Sequence, residues 1–309
     1  QWGNHDIEWI GAVAGNRVCM FSVLRIGLSY NNFDCLEDGY GINLRPLSSF
    51  AAKIYADDEC KAFRPHTLDQ NQYDPVDTAL AAKMHKAAAI IMFKLEGQLI
   101  RRRPDYGFEG RLLLDKMDLE RGVVTIDGRE YPLLDTNFPT LNPEDPYALT
   151  QEEADVADAI AASFQHGERL RRHVDYLVAN GGMYKAYNGN LLYHGCIPME
   201  EDGSFAELDV DGTMYSGKAL LDALEQRVRR AYYNGDGADT DFYWYLWMGA
   251  KSPLFGKEKV TTFERYFTDA PELREEPKNP YYTLIDQPGT VEHILDEFGL
   301  DPKTSHIIN

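Results

Sequence analysis

The chain has 309 residues, 44% hydrophobic and 26% charged, enough for one large domain or two modest ones with a real core. Its formal net charge of −19 argues against nucleic acid as a partner, whose phosphates would be repelled. No apolar run approaches the roughly 20 residues of a membrane helix, no secretory signal is visible, and the four scattered cysteines (Cys19, Cys35, Cys60, Cys196) read as reduced thiols of a cytoplasmic protein.

In chain order, Gln1-Trp2-Gly3-Asn4-His5-Asp6 opens on a motif with no lead-in or initiator Met. Residues 7–30 are apolar with interspersed Gly and Ala, predicting one or two buried helices that close at Gly27 and Asn31-Asn32. Residues 34–50 read as a Gly- and Asp-rich loop leading to Leu44-Arg45-Pro46-Leu47. A long helix is predicted to start at Asp74-Pro75, a cap followed by a residue suited to the first helical position, and to stop near Pro104. Residues 122–134 form a hairpin around Asp127-Gly128, a preferred two-residue turn pair. Thr150-Gln151-Glu152-Glu153 is a capping box opening a helix to about Ala179.

Two more hairpins follow, turning at Asn188-Gly189 and Asp211-Gly212, and the first delivers the strand Asn190–Tyr193 to His194-Gly195. Leu220, Leu221, Leu224 and Val228 make an apolar helical stripe. Thr261-Thr262-Phe263-Glu264 predicts a second capping box, and Thr290–Phe298 a short helix stopped by Gly299. Ser305–Asn309 reads as a buried strand stopped before its turn, and with the abrupt start this predicts an internal piece of a longer protein. The middle, 51–185, is mainly helical, while the flanks 1–50 and 186–309 mix strands, loops and helices. That pattern predicts an α/β core carrying a large helical insertion.

Gly3-Asn4-His5-Asp6 is the sharpest chemical signal. Asparagine offers a neutral oxygen to a metal, the adjacent histidine can protonate a leaving group, and the glycine is expected to let the backbone turn tightly enough to aim both. Alone, the tetrapeptide reads better as a polar turn before a helix. His194-Gly195 follows a strand, the usual place for a metal ligand in an α/β core, yet a lone His-Gly pair is almost uninformative.

Longer blocks carry more. Trp2–Trp9 (WGNHDIEW), Leu36–Gly41 (LEDGYG), Leu95–Ile100 (LEGQLI), Tyr193–Pro198 (YHGCIP), and Ser252–Lys257 (SPLFGK) followed by Thr261–Arg265 (TTFER) resemble class 3 fructose-1,6-bisphosphatase along the whole chain. The resemblance implies a calcineurin-like metallophosphoesterase α/β sandwich, of which this chain would be the middle portion. It implies a dinuclear, usually manganese, centre in which Asn4 and His194 are ligands of one ion. His5 would be the catalytic histidine, oriented by an acid upstream of Gln1. The remaining ligands would also lie outside these residues, and His306 is read as a strand residue. The implied reaction is hydrolysis of fructose 1,6-bisphosphate at the 1-position, in gluconeogenesis, without a phosphoenzyme. For the 309 residues alone, no useful activity is expected. The helical middle would supply a lid, a pocket or a homo-oligomer contact.

Lys257 is the better candidate for substrate phosphate, in a loop before a helix whose N-terminus would attract anions, with Arg265 about one turn in. Arg101-Arg102-Arg103 reads rather as cations complementing a helix C-terminus. Gly249–Lys257 is not a phosphate-binding P-loop, since Glu258 stands where Ser or Thr is needed. Asp34, Glu37 and Asp38 read as solvated turn residues, Phe242–Trp247 as a helical core patch, and Cys196 as packing. Two other readings follow from the same residues. One is a metallophosphoesterase of a phosphoprotein or dinucleotide; the other is a non-enzymatic interaction module derived from such an enzyme.

Overall fold

A computed structural model describes residues 1–66 and 77–309. In chain order its main elements begin with α1 (Asn4–Val13), α2 (Arg17–Ser29), α3 (Arg45–Ile54) and α4 (Thr78–Arg102). A meander follows, β1 (Met117–Asp118), β2 (Val123–Ile126) and β3 (Arg129–Pro132), then α5 (Gln151–His166) and α6 (Glu168–Asn180). Next come β4 (Tyr184–Tyr187), β5 (Asn190–Tyr193), β6 (Leu208–Val210), β7 (Thr213–Tyr215), α7 (Gly217–Asn234) and α8 (Gly237–Met248). The chain ends with α9 (Thr262–Phe267), α10 (Tyr281–Leu284), α11 (Pro288–Glu297) and β8 (His306–Ile308). This is a mixed α/β protein, mostly helical, with small sheets.

Two compact units share these elements: residues 1–14, 172–260 and 276–309 form the first, and 15–171 with 261–275 the second. The boundaries differ from those expected at 50 and 185. Residues 15–50 belong with the helices of the second unit, because α2 and α3 both pack on α4.

In the first unit, β5 pairs antiparallel with β4 and parallel with β8, Asn190 standing opposite His306. α1 packs on α8, and α8 on α7. Trp2 fixes the start of the chain. It is fully buried, its backbone N–H donates to the Gly182 carbonyl at 2.7 Å, and its indole N–H donates to the Leu177 carbonyl at 2.8 Å. Leu220, Leu221, Leu224 and Val228 are all buried, so the α7 stripe faces the core.

In the second unit, α4 is apolar almost all round and is the central helix. Each charged group it buries has a partner. Lys86 Nζ donates to Asp58 and Asp135 at 2.6 Å each, Lys94 Nζ to Glu153 at 2.7 Å, and Arg111 Nε to Glu96 at 2.5 Å. Without such partners buried charges would be prohibitively costly.

The three predicted hairpins are present. In each, both turn residues have positive φ: Asp127 and Gly128 (49° and 75°), Asn188 and Gly189 (51° and 71°), Asp211 and Gly212 (54° and 84°). That is the twist a two-residue turn needs to match its strands. The Thr150 capping box also forms, its hydroxyl accepting from the Glu153 N–H and the Glu153 carboxylate from the Thr150 N–H.

Several expectations are corrected. Gly27 lies inside α2 rather than at its end, and the loop expected over 34–50 already holds a turn of π-helix (Cys35–Gly39) and the start of α3. The helix expected to reach Ala179 breaks at Gly167 into α5 and α6. Thr261 makes no capping bond to α9; its backbone (φ −107°, ψ 48°) is not the extended cap conformation, and its hydroxyl instead accepts from Arg265 Nε. β8 is an edge strand with exposed His306 and Ile308, not a buried one. Asp74-Pro75 lie outside the described residues; the described helix begins at Thr78, with Asp77 accepting from the amides of Ala79 and Leu80. Among the described residues no helix is long and apolar enough to cross a membrane.

Candidate active site

The first unit gathers Asn4, His5 and His194. Gly3 precedes α1, and its N–H donates to the Asp6 carboxylate at 2.8 Å, which fixes the first helical turn. Asn4 and His5 therefore open α1 with their side chains at its N-terminal end. His194 leaves the end of β5, and its Nε2–H donates to Asn4 Oδ1 at 3.1 Å. The same oxygen accepts the His5 backbone N–H at 3.1 Å.

Gly3 has φ −100° and ψ 171°, which any residue adopts, so the tight turn expected of it is not its role. Space is. A Cβ at Gly3 would stand 3.1 Å from both Cε1 and Nδ1 of His194, so the imidazole lies against the bare α-carbon. Gly195 is needed for the same reason more strictly, because a Cβ there would meet the Pro253 carbonyl oxygen at 2.4 Å. That loop is tied down by the Cys196 N–H donating to the Pro253 carbonyl at 2.8 Å. The Gly195 carbonyl accepts from Tyr282 Oη at 3.1 Å and Asn309 Nδ2 at 3.2 Å.

Neighbouring atoms desolvate the His194 ring and hold its pKa below the ordinary histidine range; Asp6 partly offsets this and the nearby His5 adds to it. The neutral imidazole so favoured is the form that ligates metals. Cys196 is buried and its thiol is pushed up to about 12 by burial, consistent with packing rather than nucleophilic use.

His5 has a partner that the sequence did not reveal. Its Nδ1 lies 3.2 Å from Glu8 Oε2, one turn along α1, and the Glu8 side chain is only 1% exposed. The i, i+3 spacing of His5 and Glu8 was the available signal. Trp247 of α8 also lies against His5, with ring centroids 4.8 Å apart and planes at 57°. The rest of the aromatic run, Phe242 to Leu246, is buried as expected.

The phosphate candidates are engaged elsewhere. Lys257 Nζ donates to Glu276 at 2.7 Å, in the first unit. Arg265, in the second unit, donates from Nε to Thr261 Oγ1 at 3.1 Å and from a terminal nitrogen to the Arg274 carbonyl at 3.4 Å. Arg101 pairs with Asp145 at 2.8 Å and Arg103 with Asp105 at 2.7 Å. Asp34, Glu37 and Asp38 lie on the π-helical turn or next to it, half-buried to exposed. Among the described residues, no three His, Cys, Asp or Glu side chains gather as a metal site would require.

Asn4 and His194 thus bring an amide oxygen and an imidazole nitrogen together beside His5, and comparison with known proteins supplies the family. Residues 1–309 match the family described as Firmicute fructose-1,6-bisphosphatase, and the chain belongs to it. It is 50% identical over 316 residues to the fructose-1,6-bisphosphatase class 3 of Alkaliphilus metalliredigens, covering all of this chain and 48% of that protein. The proteins of the same name from Listeria innocua and Clostridium botulinum are each 49% identical over 314 residues, with all of this chain and 48% and 47% of those proteins covered. The chain thus spans about half the length of the curated relatives it matches. No solved structure matches it.

Proposed function

We propose that the protein to which these residues belong hydrolyses fructose 1,6-bisphosphate to fructose 6-phosphate and phosphate at a two-metal centre. In this reading Asn4 Oδ1 and His194 Nε2 are ligands of one ion, His5 is the general acid, and the other ligands come from sequence outside these 309 residues. The observation that carries it is the convergence of Asn4 and His194 across 190 positions, with His5 beside them. To hold the ion, His194 would carry its ring proton on Nδ1 instead of directing it from Nε2 at Asn4, so that Nε2 could face the ion beside Asn4 Oδ1. Manganese is the metal the family resemblance implies; one amide oxygen and one imidazole do not select it over other first-row ions.

When bound, the ions would supply charge neutralisation of the phosphoryl oxygens and an activated water. This chain's part is narrower. Asn4 and His194 hold position, and His5, oriented by an acid from sequence before Gln1, gives a proton to the departing sugar oxygen. Sheet β4-β5-β8, with His194 at the end of β5, is in this reading part of a metallophosphoesterase α/β core. The mainly helical middle of the chain forms the insertion, with a lid, pocket or homo-oligomer contact as its role. Lys257 and Arg265 are retained as candidate phosphate contacts. The family assignment and the free cysteines support a cytoplasmic enzyme.

The test is phosphate release from fructose 1,6-bisphosphate by the full-length protein with Mn²⁺, against other phosphate esters. His5→Ala is expected to lower kcat by about 10²–10⁴, the usual range for a lost general acid. The 309 residues alone are expected to release none. A full-length protein indifferent to the bisphosphate, or to His5→Ala, would overturn the assignment.

A further inference from the structure

We propose that Lys278 holds the phosphate of the sugar bisphosphate that is not cleaved, across the Tyr282 ring from the His194 loop; this rests on the reading of the bisphosphate as substrate. Residues 256–258 and 277–279 form a short antiparallel ribbon. The Glu258 N–H donates to the Pro277 carbonyl at 2.8 Å, and the Asn279 N–H to the Gly256 carbonyl at 3.0 Å. Lys257 and Lys278 are the bridge partners between those two bonds. Theirs is therefore a non-hydrogen-bonded pair, the position at which facing side chains stand closest. Like charges directly opposite destabilise such a ribbon. Only one of the two charges is answered by a carboxylate. Lys257 Nζ donates to Glu276 at 2.7 Å, while Lys278 meets no carboxylate among the described residues. In a chain with 50 acidic against 31 basic residues, two facing lysines go against the prevailing charge. A bound anion would relieve them, and phosphate is an anion that lysine holds as a point charge.

Position makes that anion a substrate group. Lys278 is exposed, and its Nζ stands 5.2 Å from the centre of the Tyr282 ring. The hydroxyl end of the same ring reaches the candidate active site, where Tyr282 Oη donates to the Gly195 carbonyl at 3.1 Å, next to His194. Gly256 leaves the room for this, since a Cβ there would meet Tyr282 Oη at 2.6 Å. One aromatic ring therefore separates Lys278 from the histidine loop. The two phosphates of the substrate sit at opposite ends of the sugar. With the reacting phosphate at Asn4 and His194, the other needs a cation beside the centre rather than in it. Lys278 supplies that cation, and the sugar spans the Tyr282 ring between them.

The experiment compares fructose 1,6-bisphosphate with fructose 1-phosphate, which lacks the second phosphate, in the full-length protein with Mn²⁺. Lys278→Ala should lower kcat/KM on the bisphosphate by about tenfold or more, the weight of one charge-assisted hydrogen bond, mainly through KM. On fructose 1-phosphate the change should stay under about twofold. Lys278→Arg keeps the charge and should keep most of the rate. The urea midpoint of Lys278→Ala should be unchanged or slightly raised, because one of two facing like charges is gone. A lysine that only supported the fold would not separate the two substrates. Equal losses on both, or none on the bisphosphate, would overturn the inference.

If the full-length protein ignores the bisphosphate altogether, the proposed function has failed instead, and calorimetry decides Lys278 separately. Fructose 6-phosphate carries only the phosphate in question. Its Kd for the full-length protein, with EDTA present, should rise about tenfold in Lys278→Ala and recover in Lys278→Arg. An affinity indifferent to Lys278, or no binding by the unsubstituted protein, would sink the site even where hydrolysis is normal.

Discussion

Asn4 Oδ1 and His194 Nε2 stand 3.1 Å apart because the bare α-carbon of Gly3 lets the His194 ring lie against the start of α1. Gly3→Ala would put a methyl group 3.1 Å from two ring atoms, closer than most Cβ contacts. The ring lies at the surface and can yield, so the fold should survive with its urea midpoint nearly unchanged. The donor pair should not. In the full-length protein we expect the Mn²⁺ concentration for half-maximal phosphate release to rise by about 10-fold or more, the range for disturbed supports of metal ligands. Gly195→Ala should behave differently, because its methyl meets the Pro253 backbone at 2.4 Å and nothing there can move cheaply. A loss of about 2–3 kcal/mol in urea unfolding is expected.

These contrasts mark what the sequence could and could not tell. Turn chemistry was legible because it is local: Asp-Gly and Asn-Gly pairs demand positive φ wherever they sit, and all three hairpins formed. The Thr150 box was legible for the same reason. The Thr261 box had the same letters and failed, because a tertiary choice of backbone and an Arg265 donor took its hydroxyl. α3 was missed although Pro46 lies in its first turn, where proline is at home. Asn4 and His194 were identified through block resemblance, not spacing. Glu8 was overlooked between Ile7 and Trp9, and nothing local could bring Trp247 to His5. That contact exists only once α1 packs on α8.

Lys257 and Arg265 allow a direct test of the phosphate reading. If Lys257 Nζ leaves Glu276 to meet a substrate phosphate, Lys257→Ala should raise KM for the bisphosphate by about tenfold, the weight of one charge-assisted hydrogen bond, with kcat held. Arg265→Lys keeps the charge and loses the Thr261 and Arg274 bonds. A raised KM in Arg265→Ala but not in Arg265→Lys assigns it to phosphate. Equal behaviour of the two, with lowered stability, assigns it to holding α9.

Lys94 and Glu153 are both buried and 2.7 Å apart, and Lys94 also donates to the Thr140 carbonyl at 2.7 Å. Burial lowers the Lys94 pKa, and Glu153 opposes that. Removing one charge strands the other, so Lys94→Met should cost about 3–5 kcal/mol in urea unfolding. Replacing both with Lys94→Met and Glu153→Leu should recover much of this, though not all. Glu153 also accepts the Thr150 N–H at 2.8 Å, and loss of that cap costs about 1 kcal/mol. A double variant no better than Lys94→Met would show that the pair stabilises beyond its desolvation cost.

His85 should make stability fall in mild acid. It is buried in the second unit, its Nδ1–H donating to the Phe63 carbonyl at 2.9 Å while Nε2 accepts from Tyr266 Oη at 2.8 Å. Both nitrogens are thus satisfied in the neutral ring, and protonating Nε2 would set two donors face to face. Desolvation is the main cause that brings its pKa down to about 3, with Arg25 and His66 adding to it and the Phe63 bond opposing it. The unfolded chain binds the proton near pH 6.5. Between those values the unfolded state holds more protons than the folded one, so stability rises with pH across the window. The contribution is complete above about pH 6.5 and is lost progressively as pH falls toward 3. From pH 7.5 to 5 the loss from this one group is about 2 kcal/mol. Carboxylates titrate in the same range, so the comparison is with His85→Gln, which is less stable at neutral pH and lacks this term. Unfolding free energies of the two proteins, from urea titrations, should converge by about that amount as pH falls. Parallel curves would mean that His85 takes up its proton inside the fold without penalty.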